Sequence, residues 1–368
     1  MFCARVNKLF CAVALTVGAI VFYACVHADF PRVPGNVYGE LLSSNEHQIK
    51  NSVVEEIALY PKKMARSRQR IMRKANLVKR NKAKGVVLIS HGFMCSKEDV
   101  GFLRALFPHC HCMTFDMRAH GEHKEGQYCT LGRDEALDVA AAALYLRSRD
   151  DLKGLPLLVY GFSMGAVAAI EAQAKDSDLF DGMILDCPFE SSENVIKKGL
   201  DNMKISLFGY QVSIPGRSLM EKYIFHPYVQ SFVKAMLKAF AQLDSKDIRA
   251  FVYPVTPVKS VAKIEVPLYL IGCKNDKKIP IESIKRIYAN AASGYKKLWI
   301  SNGRQHYDSY FYNPELYARR VGKFARRLCT GKLKGVKKEK ITIDQDLSSV
   351  AVHIDVDQVK KVNEKEKK

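Results

Sequence analysis

The sequence predicts an α/β architecture, a mostly parallel sheet covered by helices on both faces, and three observations carry that prediction. Short apolar runs of strand length alternate with helix-length segments from Gly85 to Leu328, which is the pattern of a buried parallel sheet with crossover helices. One of these runs, Leu157–Tyr160, breaks at Gly161-Phe162-Ser163-Met164-Gly165 and resumes as an alanine-rich stretch, reading as a strand, a sharp turn and a helix. An acid and a histidine then follow Ser163 in chain order, each just past a later apolar run. A serine on such a turn holds its hydroxyl above the sheet, and flanking glycines let strand and helix pass where a Cβ would collide.

With 368 residues and 48% apolar content, the chain can bury a full core, and its length suits one large domain carrying an insertion. The formal net charge of +20 is unevenly spread, since residues 61–85 hold eleven Lys and Arg and no acid. That block has Ile71, Met72, Leu77 and Val78 as its sizeable apolar groups after Met64, which predicts an exposed helix or arm. It contains no aromatic to stack on a base, so no nucleic acid is expected. A solvated face is the commonest outcome for such a block, and its place downstream of an apolar leader makes a lipid surface the alternative partner. Three of the ten cysteines (Cys3, Cys11, Cys25) lie in that leader, and the seven from Cys95 onward show no repeated C-x-x-C pair. They read mostly as buried thiols, with neither a disulfide scaffold nor a metal site expected.

Residues 1–28 begin with Arg5 and Lys8, continue apolar from Leu9 to Val26 and reach Val26-His27-Ala28, a signal peptide or membrane anchor. The chain is therefore expected to be exported or membrane-anchored. Residues 29–50, with Pro31, Pro34 and Gly35, read as a linker. The main domain is expected over 51–330, opening with a strand within Asn51–Tyr60. Val86–Ser90, Cys112–Asp116, the run before Ser163, Met183–Asp186, Pro267–Ile271 and Leu298–Ile300 are the remaining strands. Helices are expected over Arg133–Arg149, with Ala136, Leu137, Val139, Ala140, Ala143, Leu144 and Leu146 inward, near Ile281–Ala291, and over Pro314–Leu328. From about 191 to 255 the alternation stops. Tyr228, Phe232, Met236 and Phe240 recur there at helical spacing, which predicts a helical cap inserted after Asp186. The 331–368 tail is Lys-rich, with weak strand patterns at Ile341–Ile343 and Val350–Val356.

Ser163 is a weak nucleophile unless a base activates it. Only His226, His306 and His353 follow it, and of these His306 alone lies just past a late strand. Asp276, after a buried strand and before Pro280, is the candidate acid, with Asp308 as fallback. The backbone amides of Met164 and Phe93 are the candidate oxyanion donors. His91 is expected to shape the Phe93 loop, and Arg118, His120 and Glu122 to build the loop beside it. No cofactor is called for.

The ordered pieces His91-Gly92-Phe93-Met94, Asp116-x-Arg118-x-His120-Gly121, Gly161-Phe162-Ser163-Met164-Gly165, Gly272-x-x-x-Asp276 with Pro280, and Gly303-x-x-His306 resemble the α/β-hydrolase superfamily of serine hydrolases. Asp186-Cys187-Pro188-Phe189 and the short cap are similar to its Bem46-like and serine-aminopeptidase-like branches. Two features depart from the pattern: the histidine turn is one residue longer than the usual Gly-x-His, and the basic block stands where a short hairpin normally precedes the oxyanion strand. The resemblance implies a serine hydrolase acting on a carboxylic ester or thioester, with a small or lipid-like acyl substrate. A serine-aminopeptidase-like peptidase and a non-catalytic lipid- or partner-binding homologue are the alternatives.

Overall fold

A computed structural model describes residues 53–59, 72–122, 127–201, 204–207, 210–213 and 253–344. The strands are β1 (Val53–Leu59), β2 (Arg73–Lys79), β3 (Val86–Ser90), β4 (His111–Phe115), β5 (Leu157–Phe162), β6 (Gly182–Asp186), β7 (Lys204–Leu207), β8 (Tyr210–Ser213), β9 (Leu268–Cys273), β10 (Tyr295–Ser301) and β11 (Lys338–Ile343). The α-helices are α1 (Glu135–Ser148), α2 (Met164–Gln173), α3 (Ser192–Asp201), the single turn α4 (Pro257–Ser260), α5 (Ile281–Asn290), α6 (Asp308–Tyr312) and α7 (Pro314–Cys329).

Nine strands make one sheet in the order β1-β2-β4-β3-β5-β6-β9-β10-β11. Within this sheet only β1–β2 and β2–β4 pair antiparallel, and its other pairs are parallel. Strand alternation sends neighbouring residues into two cores. Leu88, Val159, Leu185, Leu270 and Leu298 face one layer, covered by Val139 of α1, Val167 and Ile170 of α2 and Ile284 and Ile287 of α5. Ile89, Tyr160, Ile184, Ile271 and Trp299 face the other, covered by Val321 and Phe324 of α7 and Leu103. Each fully buried Leu, Ile or Val contributes about 1.5–3 kcal/mol. A central strand buried on both sides must therefore be apolar at every position, which is why the parallel strands read as unbroken runs. β4 and β5 lie on opposite sides of β3, so the connections after β3 and β5 diverge, leaving a crevice at the carboxyl ends of these strands.

Four expectations change. The basic block is not all helix or arm, because from Arg73 it forms β2. Ala75 and Leu77 enter the core there, and the cations have partners: Arg73 with Asp138, Lys79 with Glu55 and Asp151. β1 and β2 together form the antiparallel pair that the sequence reading found missing before β3. The segment expected to be wholly helical contains α3 but also the antiparallel pair β7–β8. The Tyr228–Phe240 stripe, residues 60–71 and Val350–Val356 lie outside the described residues. Within the tail, Lys338–Ile343 extends the sheet, Ile341 opposite Leu298. On α1, Leu144 is exposed while Asp138 is fully buried, because the inward face carries polar anchors as well as apolar groups.

Among the described residues no helix is long and apolar enough to cross a membrane. The leader expected at 1–28 lies outside them.

Candidate active site

The turn between β5 and α2 is built by two glycines. A Cβ on Gly165 would sit 2.3 and 2.4 Å from the carbonyl oxygens of Ser90 and His91, and one on Gly161 would sit 2.6 Å from the Ala166 Cα. Such distances lie inside backbone contact, so neither position accepts a side chain without moving the helix off the sheet. Ser163 between them has φ 50° and ψ −114°, a conformation costing about 1–3 kcal/mol that persists only when its surroundings impose it. The imposition is visible: the Ser163 amide donates to the Asp186 carbonyl at 2.8 Å.

His306 reaches this serine from the loop after β10. Its Nε2 lies 3.0 Å from Ser163 Oγ, and its Nδ1 lies 2.6 Å from Asp276 Oδ2. The other Asp276 oxygen accepts the Lys278 and Ile279 amides, both at 2.8 Å. The carboxylate is thus fixed on both sides and out of water, while the His306 side chain keeps 16% exposure. The Lys274 amide donates to the Ser301 carbonyl and the Asn275 amide to that of Gly303, tying the acid loop to the histidine loop. The longer histidine turn is accommodated by Tyr307, which adopts a left-handed φ of 70° and stacks at 3.6 Å on Phe162. Asp308, the fallback acid, is instead occupied by the Arg304 amide and guanidinium.

Met164 is the first residue of α2, where an amide has no acceptor within the helix. Phe93 lies in the loop after β3, half-buried against the main core and edge-on to His120. That loop is shaped by His91, whose Nδ1 donates to the Gly92 carbonyl and whose Nε2 accepts the Met117 amide. Burial holds the His91 imidazole down to about 4, so it stays neutral. His120 is likewise neutral, pushed down to about 3 chiefly by burial. Arg118 is bound to Asp138 through its amide, Nε and Nη2, and Glu122 meets Lys74.

Sequence reasoning missed Asp186 as more than a strand end. Its carboxylate accepts Tyr317 at 2.7 Å and Tyr160 at 3.4 Å, and burial pushes it up to about 6. The available signal was an acid closing an otherwise apolar strand. Cys187 follows with φ 50°, and its sulfur lies within 4.8 Å of the ligand atoms of Asp276 and His306. This is the one grouping of metal-ligand type found among the described residues, and two of its three members are bound to each other.

A model of the alpha/beta hydrolase family matches residues 86–320, a span that includes every strand end holding Ser163, Asp276 and His306. The chain belongs to the alpha/beta hydrolase family. This α/β hydrolase is 28% identical over 213 residues to the uncharacterized protein YqkD of Bacillus subtilis (strain 168), covering 58% of the present chain and 61% of YqkD. The match therefore spans about three fifths of that relative. Among solved structures, it is similar to the Pyrococcus furiosus esterase Pf2001, with TM-score 0.54 and 22% identity over 76% of this chain and 93% of that one. It is also similar to a 2,6-dihydroxy-pseudo-oxynicotine hydrolase, with TM-score 0.55 and 14% identity over 91% and 87% of the two chains. Likeness at these identities is likeness of fold.

Proposed function

We propose that this α/β hydrolase is a serine hydrolase that cleaves a carboxylic ester or thioester through an acyl-enzyme on Ser163. The observation that carries the reading is His306, whose two ring nitrogens stand 3.0 Å from a serine hydroxyl and 2.6 Å from a sequestered carboxylate. In this mechanism His306 Nε2 takes the Ser163 proton as Oγ attacks the acyl carbon, then returns it to the leaving oxygen or sulfur. Asp276 fixes the tautomer and stabilises the imidazolium. The Met164 and Phe93 amides stabilise the oxyanion, and water activated by the same histidine releases the acid. The Bem46-like branch is part of the proposal, as are export or anchoring through residues 1–28 and a lipid-facing role for the basic block 61–85 outside the part that forms β2.

One observation favours the aminopeptidase-like alternative. Starting one residue after Phe93, a cavity of about 290 Å³ is lined by Glu98, Asp99, Asp116 and Glu122 and by Lys97, with Lys74 paired to Glu122 as the second cation at hand. A free amino terminus needs a carboxylate partner of this kind. p-Nitrophenyl esters of increasing chain length, compared with aminoacyl p-nitroanilides, separate the two readings. Ester turnover with an acyl adduct on Ser163, seen by intact mass, is the expected result. Turnover of the anilides alone would select the peptidase, and no adduct with either would select the non-catalytic homologue.

A further inference from the structure

All seven cysteines in the described residues carry free thiols, and four of them meet in two pairs, Cys187 with Cys273 at the site already described and Cys110 with Cys329 away from it. Cys110, in the loop entering β4, and Cys329, the last residue of α7, stand 3.8 Å apart sulfur to sulfur although 219 positions separate them. The contact is built. A Cβ on Gly85 would lie 2.4 Å from the Cys329 sulfur, so a glycine clears the space that sulfur occupies. Both backbones are held. The Cys110 amide donates to the Phe107 carbonyl and the His111 amide to that of Gly85, while the amides of Thr330 and Gly331 donate back into the last turn of α7. Of the other buried thiols, Cys112 points to the Cys110 carbonyl and Cys129 to the Met164 sulfur, while Cys273 is shared between the Ser309 hydroxyl and Cys187.

We propose that Cys110 and Cys329 are a disulfide-forming site that fastens α7 to the sheet. Cys110 is buried at 4% exposure, whereas Cys329 is half-buried and the more exposed of the two. The hydrogen bond from the Cys110 thiol holds Cys329 below the ordinary thiol range, and the same contact, with burial, raises Cys110. The accessible partner is thus the attacking thiolate and the sheltered one resolves. The oxidant is a small-molecule or protein disulfide, R–S–S–R, of the class present in export compartments. Cys329 attacks one sulfur, forming a mixed disulfide and releasing R–S⁻. Cys110 then loses its proton and attacks the Cys329 sulfur, closing the protein disulfide and releasing a second R–S⁻. Two protein thiols are oxidised, the reagent disulfide is reduced to two thiols, and both protons end on those thiols. α7 also carries Tyr317, bonded to Asp186 beneath the serine turn, so the link braces the helix that follows the histidine loop. Closing so long a loop restricts the unfolded chain.

The test treats the folded full chain with oxidised glutathione, quenches it with iodoacetamide in denaturant and maps the peptides by mass. The expected result is a Cys110–Cys329 linked peptide pair that disappears on reduction, with a melting temperature higher before reduction than after. Cys110→Ser and Cys329→Ser should show no such reduction-dependent shift. The proposal is overturned if both cysteines are recovered alkylated, if Cys329 stops at the glutathione adduct, if it links to another cysteine, or if the link forms without raising the melting temperature. None of these readouts depends on hydrolase activity, and the wild-type map decides even where a variant fails to fold.

Discussion

Two histidines stand at the carboxyl edge of the same sheet, His91 after β3 and His306 after β10, and they have opposite fates. His91 is fully buried, with one nitrogen on a carbonyl and the other on an amide. Both of its positions are committed to backbone, and burial holds it uncharged. His306 keeps partial exposure and spends its nitrogens on two side chains, a hydroxyl and a carboxylate. A base must be able to gain a proton, hold the resulting charge and give it back. The partner set, not the imidazole, decides which histidine meets those demands. His91 is a strut for the loop that carries Phe93, and in the proposed mechanism His306 is the group that moves protons.

The sharpest break between the two comes from replacing each. His306→Gln should lower ester hydrolysis on the order of a millionfold, as when a catalytic triad loses its base, while circular dichroism stays unchanged. Asp276→Asn keeps an oxygen for the Lys278 and Ile279 amides but stops selecting the tautomer, so kcat should fall about 10⁴-fold, read in the same assay. His91→Gln should act first on stability, lowering the unfolding free energy by about 2–4 kcal/mol in denaturant titration. Its activity per folded molecule should fall by no more than the about 10²–10³-fold cost of one misplaced oxyanion donor.

The pH dependence of stability sharpens the contrast further. His91 and His120 have folded values of about 4 and about 3, below the ordinary histidine range, so the unfolded chain binds more protons. Their contribution is present above about pH 6.5 and is lost as pH falls toward 4, up to about 3 kcal/mol for His91. Asp186 works in the other direction. With a folded value raised to about 6, its contribution is full below about pH 4 and is lost as pH rises through 6. The two histidines outweigh it, so denaturation midpoints should drop between pH 6.5 and 4, and His91→Gln should flatten that drop.

Much of this was legible in the sequence for a physical reason. A strand flanked by parallel neighbours and covered by helices has no solvent side, so β3, β5, β6 and β9 appear as unbroken apolar runs. The candidate site was legible, as a grouping of Ser163, Asp276 and His306, because these residues lie just past strand ends and one histidine alone after Ser163 followed a late strand. β2 was hidden because its charges are satisfied by residues far along the chain, Arg73 by Asp138 and Lys79 by Asp151, and no local pattern announces such partners. Asp138 misled the reading of α1 in the same way, since an acid buried against two arginines looks like a solvent-facing residue. β11 has only one neighbour and mostly exposed side chains, so little burial is written into it. The β7–β8 pair is short, and nothing in its composition set it apart from the helical patterns around it.

The most direct test of the central claim is the rate at which a fluorophosphonate labels Ser163, followed by intact mass in the wild type, His306→Gln and His91→Gln. The account predicts full labelling of the wild type, full if slower labelling of folded His91→Gln, and labelling of His306→Gln no faster than that of Ser163→Ala. Undiminished labelling of His306→Gln, or loss of labelling in folded His91→Gln alone, would contradict it.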